Sequence, residues 1–547
     1  MNDNPLPSRS GWRSLDPTKL AVAAFAFIGF LLRGALVSRS LRAIDGLFIP
    51  DDTYYTLTIA RSIAHGHGPT VDGSTLTSGF QPLLGFLMTP VFWFTSSSDA
   101  ALRFDLVLLV IADTVTILVI AWVAHRLAGR VAAVAAAAMW ALSPIAISMA
   151  LGGLETSLAI LAQVGLVAVW IRGREVDDTR HWIVVGVVAG VAVLARIDSL
   201  ALVALLGVLQ LWRGTRPGLR PAAIAAAAVL APWFVWCAVT FGTPIPTSGT
   251  SIQKLAPYGS FSRESTSIAA SAVAGSPFAA WTWARTQLVT DWTRGMVVFW
   301  VLVAAFAALA VVWLRASLRN PAQDSWTIAP AFPAFAAVLL MFYAWFGVTW
   351  YFTRYLAPVA WILTLMIAAA IGAVMRARAT ASRRRGAVLI AIAISVVSLL
   401  LISALVTDVK TMTKQYLPIA TTGTASAYES ATGFRDPVQT VLAQVPDGSR
   451  IAGWQSGALG YYGTNRVVIN LDGVVNPDTA SKDVSELARY LRKRRVEGIV
   501  DVPLVIARMD VALRNLQPAA HTEPVVTVRG NGILQYQYVR IVWPPRG

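Results

Sequence analysis

Between Leu20 and Leu405 the chain returns repeatedly to apolar runs long enough to cross a membrane. A helix needs about 20 such residues to span hydrocarbon, where no water satisfies backbone N–H and C=O groups. For this part of the chain the pattern excludes the several soluble domains that 547 residues would otherwise suggest. Composition agrees, at 56% apolar, 14% charged and a mean hydropathy of +0.60. Disorder and a disulfide scaffold are excluded too, because the single Cys237 lies inside an apolar run. The formal net charge of +16 points to nucleic acid only if the basic residues share a folded face. They gather instead in short connectors: Arg9 to Lys19, Arg126 to Arg130, Arg172 to Arg180, Arg213 to Arg220, Arg315 to Arg319 and Arg376 to Arg385. This is the bias of cytoplasmic loops, so no nucleic-acid partner is expected.

Placing every basic connector inside makes residues 1–19 a cytoplasmic tail. Leu20 to Val37 is too long for a signal-peptide core and reads as a retained first span. Further spans fall near 104–124, 131–150, 154–171, 182–195, 198–212, 221–241, 296–314, 328–348, 355–375 and 387–406. Pro82 to Phe94 is short and reads as re-entrant or interfacial; two true spans within 81–125 are the alternative. Residues 20–407 then form a transmembrane module with external loops 40–80 and 242–294. After Leu405 the composition changes. Short β-branched runs appear at Arg466–Asn470, Gly498–Pro503 and Pro524–Val528, with a helical stretch at Asp483–Arg492. The expected fold is an α-helical polytopic membrane protein of about 11 spans, with a small extracytoplasmic α/β domain over 408–547.

The densest polar stretch beside the first span runs from Asp51-Asp52 through Tyr54, Tyr55 and Arg61 to His65 and His67. Pro50 before it and Gly66 and Gly68 after it bracket a helix near 52–65. Tyr55, Ile59 and Ile63 would face apolar material, with Tyr54, Arg61 and His65 on another stripe. Capping explains one Asp at a helix start. It does not explain the rest of this loop, which also carries Asp72. A carboxylate here can serve as a general base, with its neighbour orienting it or binding a cation.

This run, from Asp51-Asp52 through Ala60-Arg61, Gly66-His67-Gly68, Asp72-Gly73 and Gly79-Phe80 to Pro82, resembles the GT-C superfamily of polytopic glycosyltransferases, closest to bacterial cell-wall arabinofuranosyltransferase-like proteins. Similar motifs follow in order: Gly152 to Thr156, Ala195 to Asp198, Phe241 to Ser248, Trp350 to Pro358, Gly453 to Gly460, and Asn470 to Asn476. The resemblance implies a bacterial inner-membrane enzyme that moves a sugar from a polyprenyl-phosphate donor to an external glycan or protein hydroxyl, with inversion at C1. It implies Asp51 as general base and Asp52 as the supporting carboxylate, with the two roles exchangeable.

The phosphate leaving group needs cations opposite the base. Arg354, in an aromatic belt with Trp350 and Tyr351, suits a lipid-borne phosphate, although such a belt also anchors membrane boundaries. Arg196 and Lys254 rank behind it. Arg196 and Asp198 could be a mutual structural pair in a broken helix, and Lys254 a solvated charge. Glu155 either caps a span or serves the site. Tyr54, Tyr55, Arg61, His65, His67, Asp198, Trp350 and Tyr351 are candidates for acceptor binding or orientation. His65 and His67 do not space as a metal pair, and the residues leave open whether a divalent cation takes part. Arg33 reads as a snorkelling side chain. Trp454, Tyr461, Tyr462, Asp472 and Asn476 read as core packing or acceptor recognition. Transfer of mannose or another hexose is the alternative within the enzyme class, and a lipid transporter or flippase the alternative outside it. The enzyme reading requires the acidic pair and Arg354 to meet in one water-facing place.

Overall fold

The computed structural model describes residues 16–176, 178–212, 218–249, 251, 304, 328–346, 353–355, 357–380, 412–422, 433–480, 482–529 and 535–545. The expected span 387–406, all of 296–314 but residue 304, and most of loop 242–294 lie outside the described residues, as do Lys254, Trp350 and Tyr351.

The membrane part is helical: α1 (Pro17–Val37), α2 (Leu41–Asp45), α3 (Asp51–Ala64), α4 (Pro82–Met88), α5 (Val91–Phe94), α6 (Ser98–Ala128), α7 (Arg130–Ala141), α8 (Pro144–Leu151), α9 (Thr156–Val176), α10 (Thr179–Ala195), α11 (Ser199–Trp212), α12 (Leu219–Phe241), α13 (Ala331–Phe346) and α14 (Ala357–Thr380). Among the described residues four helices are long and apolar enough to cross a membrane alone: α1, α6, the apolar part of α9, and α12. The bent pair α7–α8 makes a fifth. Shorter apolar helices include α10, α11 and parts of α13 and α14.

Local sequence explains where the segments differ from expectation. The span expected over 131–150 is two helices bent by 53°. Pro144 takes the first turn of α8 and Ser143 caps it, which ends α7 at Ala141. Residues 81–97 are also broken, α4 having 7 residues and α5 only 4. At about 1.5 Å per residue neither crosses a bilayer. Close helix contacts use small residues. A Cβ on Gly186 would stand 2.1 Å from the Ala222 carbonyl, and one on Gly372 2.5 Å from that of Ala128.

Arg33 does not snorkel. It is fully buried, and its Nε lies 2.6 Å from Asp113 of α6. Its other nitrogens donate to the carbonyls of Gly29, Trp140 and Ala141. The Trp140 indole donates to the second Asp113 oxygen at 3.0 Å. The pair thus joins α1, α6 and α7 where an isolated charge would be costly.

The carboxyl-terminal part holds a five-stranded sheet in the order β2-β1-β3-β5-β4. Its strands are β1 (Arg450–Gly453), β2 (Val467–Asn470), β3 (Gly498–Asp501), β4 (His521–Arg529) and β5 (Gln535–Val542). β2, β1 and β3 are parallel and β5 is antiparallel to β3. Alternation along the short strands separates two faces. Ala452, Ile469 and Ile499 pack with Leu487, Leu491 and Met509 from helices Val484–Arg494 and Pro503–Arg514. Ile451, Val468 and Val500 join the other cluster, which includes Leu36, Ile44, Tyr54 and Leu57. The sheet therefore shares its core with the start of the membrane part. The carboxyl ends of β1 and β2 come to α3.

Candidate active site

Pro50 occupies the N-cap of α3 and supplies no side-chain hydrogen bond, so neither Asp caps its own helix in the usual way. The expected apolar stripe is present: Tyr55 and Ile59 pack with Phe80, Trp233, Cys237 and Val475, with Ile63 beside them.

The two carboxylates have different surroundings. Asp51 is buried, and its two oxygens accept the backbone N–H groups of Gly457 and Ala458, each at 2.8 Å. These open the helix Gly457–Tyr462, so Asp51 caps a helix some four hundred residues away in sequence. Burial is the main cause that pushes the Asp51 carboxyl up to about 7, the two N–H groups opposing it. Asp52 turns the other way and pairs with the Arg354 guanidinium. The Asp52 side chain is 36% exposed and that of Arg354 10%, which leaves the carboxylate reachable from solvent while the guanidinium is largely dry. Arg354 lies in a short 3-10 turn, Thr353–Tyr355, just before α14.

Behind this pair lies a buried polar cluster. Arg196, at the break between α10 and α11, donates to Glu155 at 2.9 Å and to Asp198 at 2.8 Å. Tyr343 donates to Asp198 at 2.5 Å and accepts from Arg196 at 2.8 Å. The Tyr355 ring lies 5.7 Å from the Arg196 guanidinium carbon and 5.2 Å from that of Arg354, linking the cluster to the Asp52 pair. Glu155, Arg196 and Asp198 thus meet one another, and they reach the acidic loop through Tyr355 and Arg354. Thr53 also donates to the Gly152 carbonyl at 2.6 Å, tying α3 to the start of α9.

The remaining candidates on α3 meet the carboxyl-terminal domain. The Tyr55 hydroxyl receives N–H groups from Asn470 at 2.9 Å and Ser456 at 3.0 Å. The Arg61 guanidinium donates to the carbonyls of Tyr461 at 2.8 Å and Gly460 at 3.0 Å, at the far end of the helix that Asp51 caps. Tyr54 donates to Asp45 at 2.5 Å and packs on Tyr461 and Tyr462. His65 is exposed and bonds the Arg61 carbonyl of its own last turn, and His67 is exposed after it. Neither reaches the acidic pair. Asp72 bonds Ser74 and Thr75 and pairs with Arg494 at 2.7 Å, fastening the loop to the domain.

Sequence reasoning gave Tyr355 no role beyond the Trp350 to Pro358 motif, and it missed Tyr343, whose hydrogen-bond partners Asp198 and Arg196 lie far away in the chain. It also missed Asp105, fully buried in α6 with no hydrogen bond to either oxygen among the described residues. An acid inside an otherwise apolar span was the available signal. Among the described residues no group of three or more His, Cys, Asp or Glu converges as a metal site.

A family model described as a domain of unknown function matches residues 425–540, which include the sheet except the last two residues of β5. No curated protein matches the sequence. Among solved structures, ArnT from Cupriavidus metallidurans in the apo state is 17% identical and has a TM-score of 0.50 over 96% of this chain and 97% of its own. The Archaeoglobus fulgidus oligosaccharyltransferase, tethered to an acceptor peptide containing the NVT sequon, is 12% identical. It has a TM-score of 0.51 over 96% of this chain and 74% of its own. Both are GT-C enzymes. The chain shares their fold: apolar helices with a small carboxyl-terminal sheet.

Proposed function

We propose that the chain is an inverting glycosyltransferase that moves a sugar from a polyprenyl-phosphate donor to an extracytoplasmic hydroxyl. One observation carries the reading. In a GT-C fold, a half-open carboxylate at the start of α3, in the first external loop, is paired with a nearly dry guanidinium at the start of a late apolar helix. A donor phosphate competes for that guanidinium and frees Asp52 as it binds. The acceptor O–H then passes its proton to Asp52 while its oxygen bonds to C1. The bond from C1 to the phosphate oxygen breaks, and its electron pair leaves with the lipid phosphate held by Arg354. The surroundings favour Asp52 as base and Asp51 as the residue that fixes the helix start, an exchange of the roles the resemblance implied. Both Asp51 oxygens are spent on backbone N–H groups, whereas the Asp52 side chain is partly open to solvent, where an acceptor hydroxyl can reach it.

The donor sugar is arabinofuranose or a hexose such as mannose, the former following the motif resemblance. The acceptor is a glycan, with a protein acceptor as the alternative, as in the archaeal enzyme solved with an acceptor peptide. The proposed setting is a bacterial inner membrane, crossed about eleven times, with residues 1–19 cytoplasmic and 408–547 outside. The transporter reading finds less support, because the midchain Arg196 and Asp198 that speak for it are already held together with Glu155 and Tyr343.

Asp52→Asn should lower transfer from a polyprenyl-phosphoryl sugar by roughly 100-fold or more while donor lipid still copurifies. Wild-type turnover by that variant would remove Asp52 as the base.

A further inference from the structure

In open sheets with parallel strands, ligands gather outside the carboxyl ends of the strands, above all where successive connections leave in opposite directions. Here β1 leads to β2 on one side and the chain then crosses back to β3 on the other. The carboxyl ends of β1 and β2 are also the ones that meet α3. The segment after β1 runs into the helix capped by Asp51. The segment after β2, residues 471–476, carries Asp472.

That second segment is a fixed turn. Asn470 accepts the Gly473 N–H at 3.1 Å and donates to the Tyr55 hydroxyl one helical turn beyond Asp51. Asn476 donates to the Asn470 carbonyl at 2.9 Å, and Ser251 to the Gly473 carbonyl at 2.7 Å. Gly473 has φ +80°, and a Cβ there would stand 2.2 Å from the Ala480 α-carbon. The Val474 carbonyl lies 1.8 Å from where a Cβ on Gly79 would stand, so the turn presses directly on the first external loop. Asp472 is half-buried at its apex, and the Val474 N–H holds its Oδ1 at 2.7 Å.

We propose that Asp472 binds the acceptor, and that the acceptor is an uncharged polyol such as a neutral glycan chain. The proposal rests on the glycosyltransferase reading and narrows it to a substrate class. The domain of unknown function then supplies one wall of the reaction site, and α3 supplies the other. Carboxyl groups on both walls suit the paired hydroxyls of a sugar, which donate to one oxygen and accept from a protonated one. Burial pushes the Asp472 carboxyl up to about 8, with the charges of Asp52 and Asp51 adding to it. Near neutrality it can therefore donate as well as accept. With Asp472 holding its proton, the like charge that an anionic acceptor would meet in this partly dry place is that of Asp52 and of the donor phosphate. Arg354 does not offset the Asp52 charge when it holds the donor phosphate.

The test uses the purified full-length protein with polyprenyl-phosphoryl arabinofuranose and polyprenyl-phosphoryl mannose as donors. Acceptors are neutral oligosaccharides and their phosphorylated counterparts. Wild-type protein should use the neutral acceptor at least about tenfold better in kcat/KM. Asp472→Leu should raise the neutral acceptor's KM about tenfold while lowering kcat less, with donor lipid retained in native mass spectra. Asp472→Asn, which keeps a donor and an acceptor, should recover part of the loss. If wild-type protein transfers but Asp472→Leu keeps its KM, or phosphorylated acceptors serve equally well, the acceptor assignment is overturned and the transferase reading stands. If Asp472→Leu loses donor lipid as well, Asp472 acts on the fold and the assignment is overturned. If wild-type protein transfers from neither donor to any acceptor, the transferase reading falls with it.

Discussion

At the scale of single residues, neighbours in sequence have opposite duties. Asp51 and Asp52 were legible as an acidic pair and Arg354 as a guanidinium on the same side of the membrane, expected there for a phosphate; its pairing with Asp52 was not. Nor was the division of labour between the two acids, because it depends on Gly457 and Ala458, whose backbone N–H groups carry no side-chain signature. Asp51 also makes a pH prediction. Its folded-state carboxyl, raised to about 7 chiefly by burial, binds a proton more tightly than in the unfolded chain, where it titrates near ~4. Between those values the folded state holds the extra proton. Its stabilising contribution is complete below pH ~4 and is lost as pH rises through about 7. Asp45 and Asp501, each raised to about 6 mainly by burial, act in the same direction. Unfolding of the carboxyl-terminal domain, followed by tryptophan fluorescence, should move to lower temperature as pH rises from 5 to 8. Asp51→Asn should flatten that slope, and an unchanged slope would remove Asp51 as its source.

At the scale of elements, α3 and the helix Gly457–Tyr462 are matched at both ends, Asp51 on the amino end and Arg61 on the carboxyl end. Each charge has the sign that suits the helix terminus it meets. The periodicity of 51–64 predicted the helix and its apolar stripe. No local pattern could announce that its polar face was reserved for another helix. Gly457 allows the close approach: a Cβ there would stand 2.2 Å from the Asp51 carbonyl and 2.9 Å from its carboxyl carbon. Gly457→Ala should therefore push the two helices apart. Transfer should fall by roughly tenfold or more, because small displacements of catalytic groups are costly. Amide exchange across 454–462 should rise. Full activity with unchanged exchange would show that the seam tolerates the methyl group.

At the scale of the molecule, the membrane part was legible because hydrocarbon leaves a chain few options, and the short strands because β-branched residues gather in them. Strands β1 and β5 were missed, since Arg450–Gly453 has Ile451 as its single β-branched residue and Gln535–Val542 interleaves polar side chains. Arg33 was misread for a related reason: sequence shows a cation near the end of a span but not the Asp113 that neutralises it. That pair fastens three helices of the bundle. Asp113→Ala should cost on the order of 3 kcal/mol by stranding a buried guanidinium, seen as a lower melting temperature in detergent. A melting temperature equal to that of the wild type would demote the pair to a passive contact.

The seam between α3 and the distal helix also constrains biosynthesis. Asp51 is threaded through the membrane machinery long before Gly457, 406 positions later, has been translated. Throughout that interval its carboxylate lacks the two backbone N–H groups that hold it in the folded chain. The seam can therefore close only late in synthesis, and a chain that stops short of Gly457 leaves α3 without the helix it is matched to.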